Sequence, residues 1–198
     1  MPLVQSLPPL SIEHYLQGEL QSELKHEYLE GQVYAMAGAS INHNRISRNL
    51  LTQISATLSD TCEIFSSDLL VKTGVNRFRY PDLVAFCEST QGDQQFIDNP
   101  LLIIEILSKS TRQQDKGMKR NEYLSLPSLQ EYVLVEQDFI EVEVLRRSQS
   151  WKSENYYLGD RFKLDSLQIE LSVLDIYHKV TNTDMLDYLT TLSFNQNE

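Results

Sequence analysis

No apolar stretch in the chain approaches the length of a membrane span, and no charged-then-apolar leader opens it. A cytoplasmic protein with no membrane partner is the expectation. Cysteine is scarce: Cys62 and Cys87 stand apart, without the paired spacing of a zinc site. Both are expected to be reduced and structural. A glycine-rich phosphate loop, a paired-cysteine metal motif and a Ser/His/Asp order are absent too, which removes three common catalytic designs. So is a basic excess. The net charge is −11, whereas a standing grip on nucleic acid needs a basic face to neutralise phosphates. The deficit is uneven. Residues 1–30 carry one Lys/Arg against five Asp/Glu and residues 133–198 six against twelve, but residues 31–132 carry ten against eleven. Five of those ten, Lys109, Arg112, Lys116, Lys119 and Arg120, fall in one predicted helix. They form either a local positive patch or an ordinary solvated face.

What the chain does contain is a pair of carboxylates in unfavourable company. Asp82 heads the run Pro81-Asp82-Leu83-Val84-Ala85-Phe86-Cys87, and Glu105 sits inside Leu101-Leu102-Ile103-Ile104-Glu105-Ile106-Leu107. Both runs read as buried strands. A carboxylate in such a run is costly unless paired, protonated or bound to a cation. The second run lacks the alternation of a half-exposed strand, so Glu105 has no easy route to solvent. Asp82 after proline is also an ordinary turn residue. Two carboxylates on neighbouring strands suffice to hold one Mg²⁺, which keeps several waters. Phosphodiester chemistry also needs a cation to position the nucleophile or offset charge. Leu107 puts none on the strand. The following helix offers Lys116 and Lys119, with Asp115, Lys119 and Tyr123 spaced four apart on one face. Glu27, Glu30, His43 and Asp68 are further candidates. His43 opens a long helix, where an imidazole could bond phosphate or a metal-bound water, although a capping or surface role is the plainer reading.

At 198 residues the chain is most simply one domain, 1–198 with a core over about 10–180. Ser11 caps a short helix, and His26–Ala37 forms a hairpin turning at Gly31. Ile46, Leu50, Ile54 and Leu58 mark an amphipathic helix over 42–58. Strands are predicted over 62–73, 80–87 and 101–107, with a polar loop at 92–99. A helix capped by Ser110 or Thr111 runs to about Leu126, where Pro127 stops it. Strands over 131–135, 140–146, 151–157 and a pair within 162–171 follow. One more helical stretch lies beyond Val173, and a frayed end covers 195–198. This order defines an α/β or α+β domain with a β-rich C-terminal extension.

Ordered blocks then point further. Lys25–Ser40 with His43-Asn44-Arg45-Ile46, Tyr80-Pro81-Asp82-Leu83-Val84, Ile104–Arg112, Asp115–Lys119, Tyr123 and Leu126–Tyr132 together resemble the Uma-two-type restriction endonuclease family of the PD-(D/E)XK nuclease superfamily. The resemblance spans roughly residues 10–180. It implies a restriction-endonuclease-like fold, a mixed central sheet flanked by helices, and Mg²⁺-dependent hydrolysis of DNA, with Mn²⁺ as a substitute. It implies Asp82, Glu105 and the backbone carbonyl of Ile106 as metal ligands. The superfamily's lysine position is Leu107 here, so Lys119 is assigned as the migrated cation, flanked by Asp115 and Tyr123. Glu27 or Glu30 is similar to the additional N-terminal glutamate of such nucleases. A homodimer acting on both DNA strands is the implied assembly. The alternative is a nuclease-fold protein that has lost catalysis and serves binding or assembly, and a hydrolase of smaller phosphoesters is a third reading.

Overall fold

The computed structural model describes residues 9–88 and 90–195, the side chains of residues 194 and 195 excepted; the predicted frayed end lies largely outside these residues. The chain begins with helix α1 (Ile12–Glu19), whose N-cap Ser11 accepts the His14 amide, and the hairpin β1 (His26–Leu29) and β2 (Gln32–Ala35). Glu30 and Gly31 turn that hairpin with φ of 50° and 89°, the left-handed pair that two-residue hairpins require. A Cβ on Gly31 would also come within 2.3 Å of Pro9 Cβ. Helix α2 (Ile41–Ser55) follows, capped by Ser40, whose Oγ accepts the His43 amide.

The predicted strand over 62–73 is two strands in different sheets, β3 (Glu63–Ser66) and β4 (Leu70–Gly74). Residues 77–87 divide likewise into β5 (Arg77–Arg79) and β6 (Leu83–Phe86), with Pro81-Asp82 at the crossing. The loop over 92–99 contains the short β7 (Phe96–Ile97), and β8 (Leu102–Leu107) carries Glu105. The predicted single helix is in fact three pieces: α3 (Arg112–Gln114), a π turn (Asp115–Lys119) and α4 (Arg120–Leu124). Thr111 makes no side-chain cap; Ser108 Oγ accepts the Thr111 amide instead. Strands β9 (Glu131–Glu136), β10 (Val142–Arg146), β11 (Ser153–Tyr156), β12 (Arg161–Leu164) and β13 (Ile169–Ser172) precede helices α5 (Val173–Ile176) and α6 (Thr183–Asn195).

Two mixed sheets result. One runs β2-β1-β5-β4-β7 and the other β11-β10-β9-β8-β6-β3, while β12 and β13 form a separate hairpin. β8 pairs antiparallel with β6 and parallel with β9, so the α3–α4 segment is the crossover that a parallel pair demands. This central position explains the unbroken apolar run of β8, since both its faces are covered. Ile104 and Ile106 pack with α2 residues Ile46, Leu50 and Ile54, while Ile103 and Leu107 pack with Tyr123, Leu126 and Tyr132 on the other side. Glu105 shares the latter face. Smaller cores seat α1 on the first sheet through Tyr15, Tyr28 and Phe78.

The cysteines depart from expectation. β3 and β6 are antiparallel with Glu63 opposite Phe86, which brings Cys62 and Cys87 face to face one step beyond, and they are joined as a disulfide. The expectation of reduced thiols considered compartment alone and could not foresee this register. Among the described residues no helix is long and apolar enough to cross a membrane.

Candidate active site

Asp82 and Glu105 meet because of register. Leu83 lies opposite Ile104 and Val84 opposite Ile103, so the next step places Asp82 across from Glu105. Facing residues of an antiparallel pair project to the same side of the sheet. The Asp82 side chain takes over from the ladder at this point: its Oδ2 accepts the Ile106 amide at 2.7 Å. Its Oδ1 lies 3.1 Å from His43 Nε2. The Ser40 cap, which starts α2 three residues earlier, thereby delivers His43 to the site. His43 Nδ1 is buried and has no hydrogen-bond partner among the described residues.

Glu105 receives two donors on one oxygen. Lys119 Nζ stands 3.2 Å and Tyr123 Oη 2.9 Å from Oε1, and no hydrogen bond reaches Oε2 among the described residues. Lys119 is itself the hub of a carboxylate cluster, with Glu27 Oε1 at 3.3 Å and Asp115 Oδ1 at 3.2 Å. The π turn sets this convergence. Such turns displace the helix register by one residue and are frequent at functional sites. Here Tyr132 Oη donates to the Asp115 carbonyl at 3.2 Å from β9, anchoring the turn to the sheet.

A second cation closes the cluster, and it was not foreseen. Arg79, fully buried on β5, donates to Glu27 Oε2 at 2.6 Å and grips Glu122 with two bonds of 2.7 and 3.0 Å. Thr73 Oγ1 adds a bond to Glu122. The sequence signal was slight: Arg77 and Arg79 alternate within a short strand, and Glu122 stands beside the recognised Tyr123. Glu27 therefore links the first sheet to the site through both cations. Glu30 does not enter it, because the hairpin turn carries it outward to Arg77 at 2.9 Å. Asp68 is also outside, paired with Lys25 at the surface. Lys116 turns away to Glu136, Glu141 and Glu143, and Leu107 is wholly buried in the apolar core.

The electrostatics follow from burial. Glu105 is pushed well above the ordinary glutamate range by desolvation, which outweighs the opposing pull of Lys119, while Asp115 and Asp82 push it further up. Burial likewise raises Asp115 against Lys119. For Lys119 burial works toward deprotonation, but Glu105, Glu27 and Asp115 outweigh it and hold the ammonium above its usual range. Arg79 is held charged in the same way, its burial overcome by Glu122 and Glu27.

Four buried carboxylates, Glu27, Glu105, Asp115 and Glu122, thus surround two buried cations, with the partly buried Asp82 next to Glu105; Glu27 Oε1 and Asp115 Oδ1 both face Lys119. More carboxylates than cations leave hard oxygen donors to spare, and these suit a divalent cation, whose charge would favour their ionised forms. No three His, Cys, Asp or Glu side chains are gathered as a ready cage among the described residues. Mg²⁺ does not require one, since one or two carboxylates with waters suffice.

A mixed sheet with helices on both sides, crossed at its centre by an acidic cluster, defines a restriction-endonuclease-like α+β protein. A solved structure titled as "a putative nuclease belonging to DUF820" from Anabaena variabilis ATCC 29413 has the same fold, with a TM-score of 0.70 and 20% identity, over 87% of this chain and 100% of that one. The model of the Uma2 family, described as "Putative restriction endonuclease", matches residues 12–176, and the chain belongs to that family. Two Synechocystis proteins are similar along nearly their whole length. "Uncharacterized protein slr1290" is 38% identical over 175 residues, covering 86% of this chain and 92% of that protein. "Uncharacterized protein sll1609" is 36% identical over 181 residues, covering 89% and 100%.

Proposed function

We propose that the protein is a Mg²⁺-dependent DNA endonuclease, with Mn²⁺ as a substitute. The observation that supports this best is the convergence of Lys119, brought by the π turn, on Glu105 directly across from Asp82. Asp82, Glu105 and the Ile106 carbonyl would hold the metal. When bound, the ion stabilises charge developing on phosphate and makes an attacking water more acidic. Lys119 offsets charge on the scissile phosphate and orients the water. Glu27 and Asp115 keep that ammonium charged and in place, Tyr123 fixes the Glu105 carboxylate, and His43 steadies Asp82. A homodimer would present one site to each strand. Acting in the cytoplasm, the Cys62–Cys87 bond would meet reducing conditions.

Plasmid nicking in Mg²⁺ tests the reading, with Asp82→Ala and Glu105→Ala beside the parent. Strong loss in both variants is expected, and equal nicking by all three would refute catalysis at this site. One observation favours the non-catalytic alternative: Glu105 Oε1 already has two donors. Divalent-ion titration of the melting temperature separates the two, because a ligand at 100 times its Kd adds about 2.7 kcal/mol to stability. No ion-dependent shift, with no DNA retained at low salt, would favour the alternative.

A further inference from the structure

An acidic chain must hold DNA somewhere, and the helix beside the site does not offer the surface for it. Arg112 pairs with Glu136 and Asp138, Lys116 with Glu136, Glu141 and Glu143, and Arg120 with Glu143. The positive patch that the sequence allowed on this helix is neutralised by the β9–β10 hairpin. Of the cations without any carboxylate partner among the described residues, four are carried by elements that adjoin the site. Lys109 is exposed just past the end of β8, Arg48 is exposed on α2 with Arg45 half-buried one turn before it, and Lys179 is exposed in the turn after α5.

The elements that carry these four adjoin one another. Ser40, the cap of α2, donates to Gln137 Oε1 at 2.6 Å, and the Gln137 amide donates to the Leu107 carbonyl at 3.2 Å, so α2 begins where β8 ends. The turn over 178–181 is locked alongside. Asn49 Nδ2 donates to the Ile176 and His178 carbonyls at 2.8 Å each, and Asn42 exchanges three hydrogen bonds with Thr181. Lys179 is thereby held in a left-handed backbone conformation (φ 63°) next to the helix. Arg45 Nη1 lies near Asn42 Oδ1 and Thr181 Oγ1, at 3.4 and 3.5 Å. Arg45 and Arg48 differ by a rise of only about 4.5 Å along the axis. His43, two residues before Arg45, reaches Asp82 from the other side of the same helix, so Arg45 and Arg48 stand on the outer face of the element that delivers His43.

We propose that Lys109, Arg45, Arg48 and Lys179 form the track that holds the DNA phosphate backbone as it leaves the site. The proposal rests on the nuclease reading above. It reconciles a net charge of −11 with a polyanionic substrate: a small cationic surface on the outer face of the helix that delivers His43 supplies the contacts, and the acidic remainder limits binding elsewhere.

The test is fluorescence anisotropy of a labelled DNA duplex, in calcium to withhold cleavage, over a series of salt concentrations. The parent is compared with Arg45→Gln/Arg48→Gln/Lys179→Gln and with Lys152→Gln/Lys163→Gln, whose lysines lie at the other end of the sheet, beyond the Arg146–Glu131 pairing. Each phosphate contact contributes about 0.9 to the slope of log affinity against log salt. The triple variant should flatten that slope by roughly 2–3 and bind at least about tenfold more weakly at low salt; the control pair should match the parent. A triple variant with the parent's affinity and slope, or a control pair that loses as much, overturns the track and leaves the nuclease reading standing. A parent that binds no DNA overturns both. Should the triple variant melt early, Arg48→Gln/Lys179→Gln alters only exposed side chains and must flatten the slope by about 2.

Discussion

Replacing Arg79 with methionine removes a guanidinium with no solvent exposure and leaves its two carboxylates without their shared partner. Neither is wholly abandoned. Glu27 keeps Lys119 at 3.3 Å, and Glu122 keeps Arg77 at 3.5 Å and the Thr73 hydroxyl. Removing one member of a buried ion pair costs about 3–5 kcal/mol, chiefly because the remaining charge stays buried. A domain of this size loses about 2–4 °C of melting temperature per kcal/mol, so the fall should be roughly 6–20 °C. Urea unfolding followed by circular dichroism measures the loss. The cause is separated by adding Glu122→Gln, which removes the carboxylate that Arg79 had served. If the uncompensated charge is what hurts, the double variant should recover about 1–3 kcal/mol relative to additivity. A single-variant loss below about 1 kcal/mol, or strict additivity in the double, would refute the account.

Two further outcomes follow from the same cluster and from the disulfide. Desolvation raises the Glu105 pKa, so its contribution to stability is full below the unfolded glutamate range, near 4, and is lost as pH rises through the higher folded value; metal-free Glu105→Gln should therefore gain on the parent between acid and neutral pH, and a difference in denaturation free energy that stays flat would contradict this. Lys119 stays charged across that window, its pKa being raised, and adds no slope of its own. Reducing Cys62–Cys87, which closes a loop across a sequence separation of 25, should cost about 3–4 kcal/mol in the chain-entropy estimate; melting with and without a dithiol reductant reads this directly, and an unchanged melting temperature would exclude it.

The strand cores and the site pair were legible because they rest on local rules. A glutamate flanked by isoleucines in a run of apolar residues signals a buried carboxylate in any register, and Ser11 precedes its helix with its side chain on the third amide beyond; the like cap at Ser40 was not read. What could not be read was long-range register. Whether residues 62–73 are one strand or two depends on which partners lie beside them: β4 folds back on β5 in a tight hairpin, while β3 pairs with β6, further along the chain and in the other sheet. Arg79 escaped for the same reason: an arginine in a strand looks like a surface residue until Glu27 and Glu122 arrive from two other elements. Glu27 and Glu30 were separable only in three dimensions, since the left-handed turn at Glu30–Gly31 sends one outward and keeps the other in the strand.

Leucine at position 107, with the cation on the helix, has a structural reason. At position 107 a side chain on this face enters the apolar cluster with Ile103, Leu134 and Tyr132, and an ammonium there would be desolvated among hydrocarbon. From the π turn, Lys119 approaches from the helix layer, beside rather than beneath Glu105, where Glu27 and Asp115 already stand. Those carboxylates outweigh the burial that would otherwise discharge it. A cation placed on the helix thus has companions: the Tyr132 bond that anchors the turn, and Arg79 to carry part of the Glu27 charge. A lysine placed at position 107 in a Lys119→Leu background would have neither, which ties the helix lysine to its glutamate and arginine partners as one unit.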